Sequence, residues 1–189
     1  EWIETILENL KSTDVFMPVI TEDFSKSDWT DQESGIAFAG EKIIIPISVK
    51  SHQPYGFINK FQSAKISDYI KGESIPYIIP CYEIVQAMVQ AHPKFGDQIL
   101  DSILRALKES STFDDAGNLS KLLTLYEALD KSVATPIFEA AVKNRQIYGS
   151  RTARPHIKAL FQKHSKHLDK DLIDKLVDRM GDDFKPQNP

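Results

Sequence analysis

Asp14-Val15-Phe16-Met17-Pro18-Val19-Ile20 and Lys42-Ile43-Ile44-Ile45-Pro46-Ile47 are the stretches that decide the fold. Each is a short continuous apolar run, and between them lie a polar loop and a segment of helical character from about Asp28 to Ala39. A strand with one wet face alternates apolar and polar residues, whereas an unbroken apolar run suits a strand covered on both faces. Two such runs joined through a helix read as parallel strands of a βαβ crossover. Pro18 and Pro46 supply no N–H to a ladder, so each is expected to mark a strand end or a bulge.

Upstream, Trp2/Ile3, Ile6/Leu7 and Leu10 form a helical apolar stripe with no cap and no initiator Met ahead of it, so the chain is expected to begin inside a larger fold. Downstream, from about Ile75, the pattern becomes helical throughout. Stripes fall at Ile84/Val85/Met88/Val89, Ile99/Ile103/Leu104/Leu107, Leu119/Leu122/Leu123/Tyr126, Phe138/Ala141/Val142, Ile157/Leu160/Phe161/Leu168 and Leu172/Leu176/Val177. Thr135-Pro136 and Asp169 read as helix starts and Gly149 as a stop. Six short helices can share one core as a bundle or a stack of pairs, and no clean repeat is visible. Ile66 to Ser74, with Lys71-Gly72-Glu73-Ser74, is the natural seam.

With 189 residues, 41% hydrophobic and 26% charged, there is enough apolar material for one compact domain or two small ones. A formal net charge of -4 argues against nucleic acid or an anionic membrane as the dominant partner, since both reward a basic surface. Cys81 is the single cysteine, so no internal disulfide or thiolate zinc cage is available, which fits a reducing compartment. No apolar run approaches the roughly 20 residues of a membrane span, and the chain is expected to be cytoplasmic.

Between the two runs stands Ser27-Asp28-Trp29-Thr30-Asp31-Gln32-Glu33-Ser34-Gly35-Ile36-Ala37. A carboxylate near the mouth of a small α/β sheet, with an indole one helical turn away, suits a charged sugar and its flat leaving group. Taken together, Asp14 to Ile47 resembles the second half of a bacterial Toll/interleukin-1 receptor (TIR) domain. Asp14 to Thr21 is similar to that family's third strand, Phe24 to Ala39 to its WxxxE loop and helix, and Lys42 to Ile47 to its fourth strand; Pro54-Tyr55-Gly56-Phe57-Ile58 and Phe61-Gln62 are similar to the loop that follows. WxxxE alone is a weak signal, but between two buried strands it is fairly specific. The resemblance spans about residues 1 to 66.

The resemblance implies an α/β flavodoxin-like TIR domain with a parallel sheet, partial over residues 1–70, followed by an all-α bundle or helical-repeat-like domain over 75–189. The latter looks more faintly like the helical extension behind some bacterial TIR domains, through Asn144-Arg145-Gln146-Ile147-Tyr148-Gly149-Ser150 and Ala153-Arg154-Pro155. The family's opening strand, helix, second strand and nucleotide-covering loop have no counterpart here. In a flavodoxin-like order that leaves an unpaired strand edge, and a longer natural protein is expected, with activity belonging to it.

The implied chemistry is cleavage of NAD+ at the nicotinamide–ribose bond, with NAD+ as substrate and no cofactor. That step develops oxocarbenium-like charge on the ribose, which Glu33 would stabilise while accepting bonds from the ribose hydroxyls. Nicotinamide leaves neutral, so no strong general acid is needed. Trp29 and Ser27 would bind substrate. The family also implies an immune, antiphage role with homo-oligomers formed through TIR domains. The alternative is a non-catalytic TIR adaptor, and a third reading makes the helical region a protein-binding scaffold.

Each residue also has a plainer role. Glu33 near a helix start offsets the macrodipole, Trp29 anchors the helix to the sheet, and Ser27 caps the helix. Asp28 and Asp31 complement the dipole. Residues 143 to 168 hold Lys143, Arg145, Arg151, Arg154, Lys158, Lys163 and Lys166 without an acid. That stretch reads either as a surface for an anionic ligand or as a solvated face balanced by Asp169 to Asp183. His164 and His167 lie one turn apart with no third ligand in the pattern, so no metal is expected.

Overall fold

The computed structural model describes residues 2–49, 52–65, 78–91 and 93–186. The chain divides into two compact units, Glu1–Ala91 and His92–Pro189. The expected seam, Ile66 to Ser74, falls outside the described residues apart from what the division itself shows, which is that the helix Ile78–Ala91 groups with the strands.

In the first unit, α1 (Trp2–Ser12) leads into β1 (Val15–Phe16) and β2 (Val19–Ile20); α2 (Asp28–Ala39) then crosses to β3 (Ile43–Ile44) and β4 (Ile47–Ser48), and β5 (Ala64–Lys65) and α3 (Ile78–Ala91) follow. All strand pairs are parallel, with Val15 opposite Ile43, Val19 opposite Ile47 and Ile47 opposite Ala64. The prolines divide each apolar run into two short strands. Ile43, Ile45, Ile47 and Val49 donate their N–H groups to the carbonyls of Asp14, Phe16, Pro18 and Ile20 at 2.8–3.1 Å, so one set of rungs runs unbroken. The return rung from residue 18 to Ile45 has no donor, because proline lacks the N–H. Pro46 faces the other neighbour and accepts from the Ala64 N–H at 2.8 Å.

Side chains alternate across this ladder, so Phe16, Ile20 and Ile44 share one face. There they pack with Phe24, Ala37 and Ile58, with Tyr55 and Phe61 at the margin. This face is the core of the unit and fixes α2 on the sheet. On the opposite face Ile45 is only 3% exposed, yet its neighbours Met17 and Val19 are 46% and 49% exposed. Among the described residues the second face is therefore covered only in part.

The carboxyl end of α2 closes in a Schellman turn. Gly40 is the cap, Glu41 adopts φ 50°, and the Lys42 N–H returns to the Ala37 carbonyl at 3.0 Å. A non-glycine residue occupies the left-handed position, which is mildly strained.

The second unit consists of α4 (Pro93–Lys108), α5 (Phe113–Leu123), α6 (Lys131–Lys143), the single turn α7 (Arg145–Tyr148), α8 (Ala153–His164) and α9 (Lys170–Met180). Leu107, Leu123, Ile137, Phe138, Ile147, Ile157, Leu160, Phe161, Leu176 and Phe184 are fully or almost fully buried in its core. Phe138, Phe161 and Phe184 form an aromatic row with centroid spacings of 5.9 and 5.4 Å. Gly117 lets α5 approach the start of α8, since a Cβ there would stand 2.2 Å from Thr152 Oγ1 and 2.8 Å from its Cβ.

The helix-start expectation at Thr135-Pro136 is corrected. α6 begins at Lys131, where the Asp130 carboxylate accepts from the Val133 N–H at 3.1 Å, and Pro136 lies inside the helix. Asp169 does precede α9, and its carboxylate pairs with Lys131 at 3.0 Å instead of capping. Gly149 ends α7.

Candidate active site

Parallel strands joined by a helix bring the helix start to their carboxyl ends, where open α/β sheets bind ligands. α2 begins at Asp28, after β2 and a 3-10 turn at Phe24–Lys26. Ser27 occupies the N-cap position with extended backbone, but its hydroxyl makes no cap bond. Thr30 does the local work. Its N–H and hydroxyl donate to the Ser27 carbonyl at 3.2 and 2.7 Å, and the hydroxyl also reaches the Phe24 carbonyl at 2.6 Å. These bonds tie the first turn of α2 to the loop above β2.

Trp29 and Glu33 are four residues apart on α2 and so lie on one side of the helix. Trp29 is 40% exposed, too open for a pure core anchor. Glu33 is half-buried, and among the described residues its carboxylate has neither an ion pair nor a hydrogen-bond donor. The structure thus brings Ser27, Trp29 and Glu33 together on the loop and opening turns of one helix. Asp28 and Asp31 stand on the same opening turn. Asp31 turns to the following loop, where its carboxylate accepts from the Tyr55 hydroxyl, and this bond raises the Tyr55 pKa. The Tyr55 ring meets Phe24 edge-on at 5.9 Å. This Asp31–Tyr55–Phe24 link escapes sequence reading, because no spacing rule joins positions 31 and 55.

A second aromatic group lies farther along α2. Phe38 stacks on Phe57 at 5.8 Å, Lys60 sits 4.5 Å over the Phe38 ring, and the two rings are 38% and 58% exposed. Gly35 lies beneath, with the Phe57 ring within van der Waals reach of the Cβ it lacks.

Cavities open in both units. One, of about 460 Å³, opens beside the beginning of β3 and beneath α3, lined by Ile43, Ile45, Ser63, Glu83 and Gln86. A second, of about 570 Å³, lies in the helical unit at the junction of α6 and α7. A third, of about 420 Å³, involves Lys158, Asp182, Asp183 and Lys185. Glu33, Trp29 and Ser27 line none of the three.

The basic stretch 143–168 is partly neutralised in space. Arg154 and Lys158 both reach Asp183, at 3.4 and 3.1 Å, and Lys143 pairs with Glu139 at 3.1 Å. The two lysine and arginine contacts hold the Asp183 carboxyl below the usual carboxylate range. His164 is 4% exposed with its Nε2 unpaired, stacked against His167 at 6.4 Å. Burial first, then the nearby His167, Lys163 and Lys166, lowers its pKa. Among the described residues no group of three or more His, Cys, Asp or Glu side chains converges as a metal site would require. No helix among them is long and apolar enough to cross a membrane.

No family model matches this chain, and neither a curated protein nor a solved structure matches it.

Proposed function

We propose that the first unit is the second half of a flavodoxin-like TIR domain and that the protein cleaves NAD+ at the nicotinamide–ribose bond, as an immune effector switched on by self-association. The observation that carries this reading is the Glu33 carboxylate, half-buried and without a partner among the described residues, one turn beyond a partly exposed indole on the helix that follows a parallel strand. Asp31, on the same helix, is by contrast engaged by Tyr55.

Glu33 would offset the positive charge that grows on the ribose and hold its hydroxyls. Trp29 would face the flat leaving group, and the Ser27 hydroxyl, which makes no cap bond, is available to the ribose or its phosphates. The test is Glu33→Gln in the full protein, followed by nicotinamide release. Turnover should fall by about 10²–10³, the typical loss on removing one preorganised electrostatic contact. Folding and self-association should be retained. Unchanged turnover would remove Glu33 from the mechanism.

A non-catalytic adaptor is the second reading, favoured by the exposed Phe38–Phe57 pair and by Met17 and Val19. Under it, Phe57→Ala would abolish self-association in a protein that releases no nicotinamide either before or after the substitution.

A further inference from the structure

In the helical unit, Asn144 stands between the end of α6 and the start of α7, and its side-chain amide works as a clasp. Its Nδ2 donates to the carbonyls of Lys108 and Ser110, at 3.2 and 2.9 Å, and to the Ser110 hydroxyl at 3.1 Å. Its Oδ1 accepts from the Gln146 N–H at 2.8 Å. The clasp draws the last residue of α4, Lys108, to the chain neighbours of Asn144, which are Lys143 and Arg145. These three cations, with Glu139, Pro136 and Ala140, line the groove of about 570 Å³.

The charges there do not cancel. Glu139 pairs with Lys143, but among the described residues neither Lys108 nor Arg145 has an acidic partner. The carboxyl ends of α4 and α6 converge on the groove, and each contributes about half a negative elementary charge through its dipole. Against three cations and one carboxylate, that leaves about one positive charge uncompensated. The volume lies within the range of small-molecule sites, about 300–1,000 Å³, and Pro136 and Ala140 add an apolar wall. A guanidinium beside two ammonium groups suits phosphate oxygens, which Arg binds through two parallel N–H donors.

We infer that the groove where α4, α6 and α7 meet binds a small organic phosphate, its phosphate held by Lys108, Lys143 and Arg145 and its uncharged part resting on Pro136 and Ala140. This site is independent of Glu33 and of the proposed NAD+ chemistry.

The experiment is calorimetric titration of the full chain, in a Glu33→Ala background, with ADP, inorganic pyrophosphate and adenosine in turn. ADP should bind, pyrophosphate should bind more weakly, and adenosine should not bind. Lys108→Ala and Arg145→Ala should each weaken ADP about tenfold, the loss of one charge-assisted contact. Lys163→Ala, which removes an equal charge from α8 outside the groove, should leave affinity unchanged. Circular dichroism of each variant verifies the fold, since both side chains lie at the surface. Failure of all three probes to bind at millimolar concentration would overturn the assignment. So would equal weakening by Lys163→Ala, which would make the attraction diffuse. Pyrophosphate binding as tightly as ADP would remove the organic part and reduce the site to an anion patch.

Discussion

Replacing Gly117 by alanine sets two effects of opposite sign against each other. Gly117 is interior to α5, where exchange of glycine for alanine ordinarily stabilises a helix by about 1 kcal/mol. Here the new methyl would stand 2.2 Å from Thr152 Oγ1 and 2.8 Å from Thr152 Cβ, with the Thr152 backbone carbon at 3.4 Å. Thr152 has little room to yield, because its hydroxyl is bonded to Ser150 Oγ at 2.9 Å and, more loosely, to the Phe113 carbonyl at 3.4 Å. Overpacking of this kind costs about 1–3 kcal/mol, and two contacts below any real Cβ distance place it at the upper end, about 3 kcal/mol. The net loss is then about 2 kcal/mol, a fall in Tm of about 10 °C for a unit of this size. Thermal unfolding by circular dichroism measures it. Thr152→Gly provides the control, since it removes both clashing atoms, and in that background Gly117→Ala should raise Tm. A rise in the wild-type background would refute the close approach of α5 to the start of α8.

Glu41→Gly should stabilise the first unit by about 1 kcal/mol, because glycine occupies the left-handed position of the Schellman turn without the Cβ penalty; denaturant titration reads this, and a loss would mean that the Glu41 side chain contributes something else. His164 has a folded pKa lowered by burial, so the stability it permits is complete above the unfolded histidine value and is lost as the pH falls through that value toward the folded one. Tm of the helical unit should therefore drop between pH 7.5 and 5.5, and His164→Gln should flatten that slope in part, with the remainder belonging to His156, lowered by burial and then by Lys121. Tyr55→Phe removes the bond to Asp31 and should cost about 0.5–1.5 kcal/mol on chemical denaturation, while bringing no change in the edge-on packing against Phe24.

Local rules carried the strand and helix pattern a long way. The span Asp28 to Ala39 is legible because a polar stretch bounded by Ser27 and Gly40 separates two apolar runs, although its apolar residues gather on no single face. Pro18 and Pro46 announce the breaks in the ladder, since the loss of an N–H is a property of the residue itself. Thr135-Pro136 misled because proline favours helix starts, whereas the actual start was set by the Asp130 carboxylate five residues upstream of Thr135. What stayed hidden are the side-chain contacts between distant segments. Asn144 binds Ser110 across 34 residues and Tyr55 binds Asp31 across 24, and neither spacing leaves a mark in the sequence. The basic stretch was plain as charge. Its division into Arg154 and Lys158, paired with Asp183, and Arg145, without an acidic partner among the described residues, required the place of Asp183 in space.

Pro18 and its neighbours also set how the first unit should trade amide protons with solvent. The missing donor faces inward, toward Ile45, so the N–H groups of Val15, Met17 and Val19 all point away from β3 and β4 and, among the described residues, meet no strand. Deuterium should enter those three sites quickly, while Ile43, Ile45, Ile47 and Val49 retain their protons. The boundary between rapid and slow exchange would thus run along β1 and β2 themselves, alternating residue by residue, with the missing rung at the buried Ile45.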